Sequence, residues 1–310
     1  MDMDSTEIFS KPKEFKSLVT AIQTRYVREN GWSPEWFLET WPHITKPGYE
    51  HLNLPDTVKD TVSKWGRQHK STFPWHFWRG IRSSRNLHSS QVLGLTLLGA
   101  LGGNNTGVLE QLLGSLGVVK QDETILECDF EYEPPNFFNE SRRTAVDFMI
   151  RVGKAGETGH PIYFEVKFLE SSFGQCSRKS KGECKGLSGV SVRDLKDRCR
   201  VTKEGIRYWD AVPKVMDFGI DKQGCVLQGS FYQLTRNILH LVHEGGRRLI
   251  ILSDARARYL DDELARFVDC LRMQYRDRVY HLKFQHLVPY LSKTDPSLVE
   301  LLRKKYSIRE

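Results

Sequence analysis

The sequence has no long hydrophobic run. Nothing in its 310 residues approaches the ~18 consecutive apolar residues that a membrane-spanning helix requires. The opening residues, MDMDSTEIFSKPKEFK, are polar and acidic and contain no apolar core of the kind that a signal peptide carries. Both absences argue against a membrane protein or an exported protein. We therefore expect a cytoplasmic protein without membrane segments.

Closely spaced cysteine pairs are also absent, and no CxxC motif occurs. Structural zinc sites usually take their cysteines in pairs about two to four residues apart. Four of the six cysteines nevertheless fall in one segment: Cys176, Cys184, Cys199 and Cys225. Four thiolates can bind Zn²⁺ or a 4Fe–4S cluster, so this set is a candidate metal site. The alternative interpretation is four independent thiols.

The chain is basic, with a formal net charge of +7 and a pI of about 9.0. A basic surface favours polyanionic partners, because cationic side chains that neutralise phosphates release counterions. Hydrophobic residues at 39% and charged residues at 27% are ordinary for a globular protein. The length suits one large domain or a core with an appendage.

Residues 1–85 form an aromatic, irregular segment, which we predict to be a helical extension of a main domain over 86–310. Six of the seven tryptophans lie in this segment, and prolines divide it into what we expect to be brief helices and loops. The six are Trp32, Trp36, Trp41, Trp65, Trp75 and Trp78. They fit either a packed cap or an aromatic platform that stacks nucleobases. The packed cap is favoured, because dense tryptophans are usually buried.

From Ser89 onward, helical and strand patterns follow one another. A buried helix is expected over 89–102 and a second over 106–117, followed by strands over 124–133, 144–152 and 161–168. After a predicted insertion at about 170–228, we expect an amphipathic helix over 229–246, a strand over 247–254, a helix over 261–275 and a strand over 279–287. The order predicts an α/β protein.

Three charged residues on two of these strands suggest a catalytic site. The strand 144–152 carries Asp147, and the strand 161–168 carries Glu165 and Lys167. Successive side chains on a strand point to opposite faces, so Glu165 and Lys167 share one face. An ammonium group beside a carboxylate, with a second carboxylate one connection upstream, is what a Mg²⁺-dependent phosphodiesterase needs. The alternative is a charged pair on an exposed sheet face.

Other polar residues are candidates for supporting roles. Glu131 and Glu133 share a strand face, and Glu133 is preferred as an additional metal ligand because it lies nearer the strand end. Gln91 either leans into the site or caps the buried helix. The helix 229–246 has a polar stripe that would line a phosphate groove or face solvent; it contains Gln233, Arg236, Asn237 and His240. Within this stripe, Arg236 and Asn237 are the phosphate-binding candidates.

The order of elements, with D…ExK on the second and third strands, resembles the core of the PD-(D/E)xK, or restriction-endonuclease-like, nuclease superfamily. The resemblance covers roughly residues 86–255 and implies a mixed sheet in an αβββαβ core. Within the superfamily the chain looks most like an uncharacterised bacterial group, judged on SSQ at 89–91, ExKxxE at 165–170 and YQLTRN at 232–237. It departs from the named motif at Val146, where the motif has proline.

The resemblance also implies roles for individual residues. Asp147 and Glu165 would bind Mg²⁺ or Mn²⁺, and Lys167 would orient or polarise the attacking water. Two further positions match features of relatives: Glu170, an additional acid of the bacterial group, and Gln233, a glutamine on the helix after the catalytic strands. The function hypothesis is a metal-dependent deoxyribonuclease of restriction or repair type.

Two alternatives to this function remain. One is a nucleic-acid-binding module that keeps a nuclease fold without its chemistry, and the other is an enzyme that acts on a phosphorylated small molecule. The expected partner is a nucleic acid, with DNA favoured over RNA. Cutting both strands of a duplex with one site per chain would favour a homodimer.

Overall fold

The structure, a computed structural model, describes residues 7–102, 106–180, 192–217, 225, 227 and 231–309. Cys184, one of the four candidate cysteine ligands, lies outside these residues. Within the described part of the chain, no single helix is long and apolar enough to cross a membrane. The helices Ser90–Gly102 and Thr106–Ser115 reach that length and composition only as a pair, which is bent by 97°.

A five-stranded mixed sheet organises the described residues. The strands are β1 (Phe37–Leu38), β2 (Trp41–Thr45), β3 (Phe77–Trp78), β4 (Ile81–Arg82), β5 (Thr124–Tyr132), β6 (Val146–Gly153), β7 (His160–Lys167), β8 (Arg248–Ser253) and β9 (Val279–Lys283). The sheet contains β5 to β9 in sequence order, while β1 with β2 and β3 with β4 form separate two-stranded sheets. β5, β6 and β7 are antiparallel neighbours, whereas β7, β8 and β9 run parallel.

Helices flank this sheet. They are α1 (Pro12–Glu29), α2 (Asp56–His69), α3 (Ser90–Gly102), α4 (Thr106–Ser115), α5 (Ser177–Ser180), α6 (Val192–Arg198), α7 (Arg200–Lys203), α8 (Val212–Val215), α9 (Tyr232–His243), α10 (Arg258–Asp269), α11 (Met273–Arg276), α12 (Val288–Thr294) and α13 (Pro296–Tyr306). Short 3₁₀ turns occupy Pro34–Trp36, Glu50–Leu52, Ser83–Arg85, Tyr208–Asp210 and Phe284–Leu287. The mixed sheet with its helices agrees with the predicted α/β class.

The strand β7 lies between α3 and α9. Ser89 begins α3, because its hydroxyl accepts a hydrogen bond of 3.1 Å from a backbone N–H in the first turn. A methyl group at Gly94 would lie 3.0 Å from Cγ2 of Val166, so the glycine allows α3 to approach one face of β7 closely. On the other face, Asn237 of α9 donates a hydrogen bond to Glu165. The apolar and polar faces of β7 therefore meet different helices.

The predicted order of helices and strands from Ser89 onward is confirmed, but the prediction of brief N-terminal helices is wrong. α1 is 18 residues long and α2 is 14 residues long. Pro12 begins α1 and Pro55 immediately precedes α2. Proline is well tolerated at the first position of a helix, because the N–H that it lacks has no partner there. These prolines therefore begin helices instead of interrupting them.

The N-terminal segment packs against the sheet and its helices. The rings of Phe15 in α1 and Phe168 lie 6.3 Å apart, and Nε1 of Trp65 donates a hydrogen bond of 2.8 Å to the carbonyl of Phe130. Residues of both segments belong to one hydrophobic core. The half-buried tryptophans are Trp32, Trp36, Trp41, Trp65 and Trp75. This packing favours the cap interpretation, and the domain boundary at residue 85 stays a prediction.

Candidate active site

Asp147 and Glu165 face each other across β6 and β7. Phe148 pairs with Phe164 in the antiparallel register. The register, continued by one residue on each strand, sets Asp147 opposite Glu165. Directly opposite residues in such a pair have Cβ atoms about 4.5–5.5 Å apart. Oδ2 of Asp147 also accepts a hydrogen bond of 2.6 Å from the backbone N–H of Val166. The structure thus brings together the two carboxylates that were predicted as metal ligands.

Lys167 lies on the same face of β7, one pleat beyond Glu165. Its Nζ is 2.8 Å from Oε1 of Glu165 and donates a hydrogen bond of 2.7 Å to Oε1 of Gln233. Glu165 is 1% exposed and Lys167 is 6% exposed. The two residues are therefore not a surface ion pair, and the charges lie where electrostatic interactions are strong.

Negative charge dominates this cluster. Burial, together with the charges of Glu165 and Glu131, raises the pKa of Asp147 well above its ordinary value. Burial alone would lower the pKa of Lys167, but the attraction of Glu165, Glu170 and Asp147 raises it, so the amine stays protonated. One ammonium group thus faces several carboxylates, and a bound cation would relieve their repulsion.

Glu131, and not Glu133, is the carboxylate of β5 that accompanies Asp147. The register of β5 with β6 sets Glu131 opposite Asp147, and its carboxylate is buried. Its backbone has a φ of +50°, a left-handed conformation that interrupts the alternation of the strand. The structure favours Glu131 over Glu133, because Glu133 is exposed and its Oε2 lies 3.4 Å from Nη1 of Arg143. A metal-binding role for either residue stays a prediction.

The side chain of Gln91 points into the site and links α3 to the N-terminal segment by hydrogen bonds. Its Nε2 donates a hydrogen bond of 2.6 Å to Oε1 of Glu131, and its Oε1 accepts one of 3.0 Å from the backbone N–H of His76. The ring of His76 reaches the same carboxylate, with Nε2 3.0 Å from Oε2 of Glu131. This hydrogen bond raises the pKa of His76 to about 9, so the imidazole is charged at neutral pH. Sequence reasoning missed His76, which lies outside any periodic pattern.

The polar stripe of α9 divides between two clusters. Nδ2 of Asn237, which is fully buried, donates a hydrogen bond of 2.9 Å to Oε2 of Glu165, and Gln233 contacts Lys167. Arg236 turns away, with Nη2 3.2 Å from Oε1 of Glu140. These contacts do not favour the predicted phosphate-binding role, since Asn237 contacts a carboxylate and Arg236 forms a separate ion pair. Phosphate binding by these two residues stays a prediction.

The Glu140 cluster ties α9 to the insertion. The carboxylate of Glu140 accepts hydrogen bonds of 2.7 Å from both the N–H and the hydroxyl of Thr144, and a further one from the hydroxyl of Tyr208. Burial alone would raise the pKa of Glu140, but His240, Arg236 and these hydroxyl groups hold it well below its ordinary value. The cluster satisfies a buried charge, and we assign it a structural role.

Glu170 follows β7 and borders a cleft beside the catalytic residues. Its Oε2 accepts a hydrogen bond of 2.7 Å from the backbone N–H of Phe168, and its charge attracts Lys167. Glu170 lines a cleft of about 440 Å³ together with Gln91 and His76. The additional acid implied by the resemblance therefore lies at the border of the site.

The cysteines give a different result. Cys176, Cys199 and Cys225 are all buried. A hydrogen bond with Cys225 lowers the pKa of Cys199 to about 5. Within residues 7–102, 106–180, 192–217, 225, 227 and 231–309, no three His, Cys, Asp or Glu side chains are grouped so that they could hold a metal ion. The three described cysteines do not form the predicted zinc or iron–sulfur site, and Cys184 lies outside the described residues.

The residues present fit a hard divalent cation that completes its shell with water. Asp147 and Glu165 offer carboxylate oxygens, the ligands that Mg²⁺ takes in ones or twos together with water and substrate phosphate. Without a cation, burial and then the charges of Glu165 and Glu131 raise the pKa of Asp147 in this donor set. Both features are compatible with a divalent cation held by few protein ligands.

Comparison with known proteins extends the similarity beyond this cluster. The family described as Restriction Endonuclease associating with ARP matches residues 15–307. No curated protein and no solved structure matches the chain. The matched region contains all but the first three residues of α1, the sheet and α13, and so includes most of the N-terminal extension as well as the candidate site. The chain belongs to this family of restriction endonucleases, whose description indicates a nuclease-type function.

Proposed function

We propose that this protein is a PD-(D/E)xK-type nuclease that hydrolyses DNA phosphodiester bonds with Mg²⁺ or Mn²⁺. The observation that carries the proposal is the meeting of Asp147, Glu165 and Lys167 on one face of β6 and β7. Membership in a restriction-endonuclease family supports this class of reaction. The net charge of +7 supports a polyanionic substrate.

In this proposal Asp147 and Glu165 hold the metal ion. A bound divalent ion polarises the phosphoryl oxygen and lowers the pKa of a coordinated water. Lys167 and Asn237 orient Glu165, because each donates to a different oxygen of its carboxylate. The ammonium group of Lys167 stabilises the negative charge that develops on the phosphoryl group.

His76 adds a second cation at the border of the site. Its side chain is 60% exposed, while its Nε2 lies 3.0 Å from the buried carboxylate of Glu131. From this position the imidazolium offsets the charge of Glu131 and faces solvent, where a substrate phosphate would approach. Gln91 holds the same carboxylate from the opposite element, α3. We assign His76 a role in binding the substrate phosphate.

The test is cleavage of supercoiled plasmid and single-stranded DNA with Mg²⁺, with Mn²⁺ and with a chelator. Glu165→Gln and Lys167→Met should each reduce the cleavage rate by at least about 100-fold, because both remove groups that stabilise charge in the transition state. Glu133→Gln is the matched control, since it removes an exposed carboxylate just beyond β5. Wild-type cleavage by both site variants would remove these residues from the mechanism.

The same experiment separates the alternatives. Tight DNA binding without cleavage in any divalent metal would indicate a binding module that has lost its chemistry. The presence of Asp147, Glu165 and Lys167 together, with their supporting hydrogen bonds, favours an active enzyme. Protection against thermal unfolding by mononucleotides, but not by polynucleotides, would favour the small-molecule alternative.

A further inference from the structure

One face of α1 carries cations and small polar residues without a carboxylate. Its exposed residues recur every three or four positions and so lie along one side of the helix. We call this face the α1 stripe; it contains Lys13, Lys16, Ser17, Thr20, Ala21, Thr24 and Arg28. The two acidic residues of α1 are used elsewhere, because Glu14 pairs with Lys11 and Glu29 pairs with Arg25.

The three cations of the α1 stripe are not neutralised. Lys13, Lys16 and Arg28 are exposed, and among the described residues none of them forms an ion pair with a carboxylate. Lys11, by contrast, pairs with Glu14 three residues later, at a spacing where opposite charges stabilise a helix. A row of uncompensated positive charge favours binding of a polyanion.

The α1 stripe is continuous with the candidate active site. Lys16 lines the groove along α1 and also lines the cleft of about 440 Å³ beside the catalytic residues. Gln91, Glu170 and His76 also line that cleft. Gln91 and His76 bind the carboxylate of Glu131, which faces Asp147. The α1 stripe and the candidate site therefore adjoin through this cleft.

We propose that the α1 stripe binds the phosphate backbone of the substrate strand and directs it through the cleft to the catalytic residues. This inference rests on the proposed nuclease function and adds the surface that binds the substrate strand outside the candidate active site. At 1.5 Å per residue, Lys13 and Arg28 are about 22 Å apart along the helix axis. At a rise of about 3.4 Å per nucleotide, this length spans about six nucleotides of one strand.

A length requirement for the substrate follows from this geometry. A mononucleotide or a dinucleotide occupies only the catalytic residues and gains nothing from Lys13 or Arg28. An oligonucleotide that reaches along α1 neutralises the additional cations and releases counterions from its phosphates. The benefit of length should therefore appear in KM and in binding affinity, and it should weaken as salt concentration rises.

The experiment compares two triple variants that each remove three positive charges. The test variant is Lys13→Ala/Lys16→Ala/Arg28→Ala. The control variant is Lys120→Ala/Lys154→Ala/Arg272→Ala, which removes exposed cations of three connecting segments, one of them (Lys154) paired with Asp122. All six side chains are exposed, so both variants should keep the wild-type fold, as circular dichroism and thermal unfolding would verify.

Binding of a labelled 16-nucleotide DNA is measured in a chelator over a range of salt concentrations, and cleavage of 4- and 16-nucleotide DNA is measured with Mg²⁺. The test variant should bind the long DNA at least about tenfold more weakly at low salt, with a slope of log affinity against log salt reduced by about 2–3. In wild type, KM should be lower for the 16-nucleotide DNA than for the 4-nucleotide DNA. In the test variant, the two KM values should be equal. The control variant should behave as wild type.

Three outcomes would overturn the proposal: equal affinity losses in both triple variants, a wild-type salt slope in the test variant, or no DNA binding by the wild-type protein. A failure of this inference is distinguishable from a failure of the proposed function. If Glu165→Gln abolishes cleavage while the test variant retains wild-type affinity, the nuclease function stands and the α1 stripe has no part in it. If the α1 stripe binds DNA but Glu165→Gln cleaves normally, the catalytic assignment is the one that fails.

Discussion

Nε2 of His76 lies 3.0 Å from Oε2 of Glu131, although 55 residues separate the two along the chain. A second pair of this kind occurs two residues earlier on β5, where Nε2 of His69 is 2.9 Å from Oδ1 of Asp129. Both pairs anchor the N-terminal segment to the edge of the sheet. The charges of Asp147 and Glu165 act on His76, so this pair adjoins the catalytic carboxylates.

Comparing these two pairs separates a role in anchoring the N-terminal segment from a role in DNA cleavage. His76→Ala should reduce DNA cleavage by about 10–100-fold, because Glu131 is then uncompensated next to Asp147. His69→Ala removes the matching contact with Asp129 and should leave cleavage close to the wild-type rate. Cleavage rates and thermal midpoints of both variants provide the measurement. Equal losses of activity in the two variants would mean that His76 serves only as an anchor.

The hydrogen bond from Asn237 to Glu165 gives a prediction about metal binding. Asn237→Ala should raise the Mg²⁺ concentration for half-maximal cleavage by about 10–100-fold, because Oε2 of Glu165 loses the donor that orients it. Titration of cleavage with Mg²⁺ measures this change.

Arg236→Ala is the matched control for Asn237→Ala. It changes the neighbouring residue of α9 but affects the Glu140 cluster, so it should lower the thermal midpoint and leave the Mg²⁺ requirement unchanged. A wild-type Mg²⁺ requirement in Asn237→Ala would count against an orienting role for this residue.

Buried Lys305 should make stability depend on pH. Its Nζ donates to Oδ1 of Asn53 at 2.7 Å, and burial lowers its pKa to about 7. The unfolded chain has an ordinary lysine pKa of about 10.4, so between these two values it holds more protons at this site than the folded chain does. The contribution of Lys305 to the free energy of unfolding should therefore rise as pH increases from about 7 to about 10.

Denaturant unfolding of the wild type and of Lys305→Met at several pH values measures this effect. The variant carries no titrating group at the site, so its free energy of unfolding should lack the increase that Lys305 contributes. The difference between the two proteins isolates Lys305 from the cysteines and tyrosines that titrate in the same range. Parallel pH profiles would show that the amine of Lys305 keeps its ordinary pKa in the folded protein.

The sequence alone identified those site residues that lie on regularly alternating strands. Asp147, Glu165 and Lys167 lie on strands with regular alternation, so a period of two correctly predicts that Glu165 and Lys167 share a face. The burial of the helix after Ser89 also follows from its composition. These predictions succeeded because each depends on neighbours in the chain.

Residues placed by irregular backbone or by distant segments were not predictable. Glu133 was preferred because it lies nearer the strand end, and the sequence does not reveal that Glu131 has a left-handed φ and lies opposite Asp147. His76 comes from a segment without periodicity and meets β5 only in the folded chain. The stripe on α9 was correctly recognised as polar, but the sequence does not reveal that Arg236 faces Glu140 while Asn237 faces Glu165.

The hydrogen bond from Trp65 to the carbonyl of Phe130 has a consequence for solubility. β5 forms one border of the five-stranded sheet, and the outward carbonyl and amide groups of a border strand can pair with a strand of another molecule and begin aggregation. Trp65 donates a hydrogen bond to the carbonyl of Phe130, and His69 contacts the side chain of the neighbouring Asp129. Removal of the N-terminal segment would therefore leave β5 open to intermolecular strand pairing, in addition to depriving the site of His76.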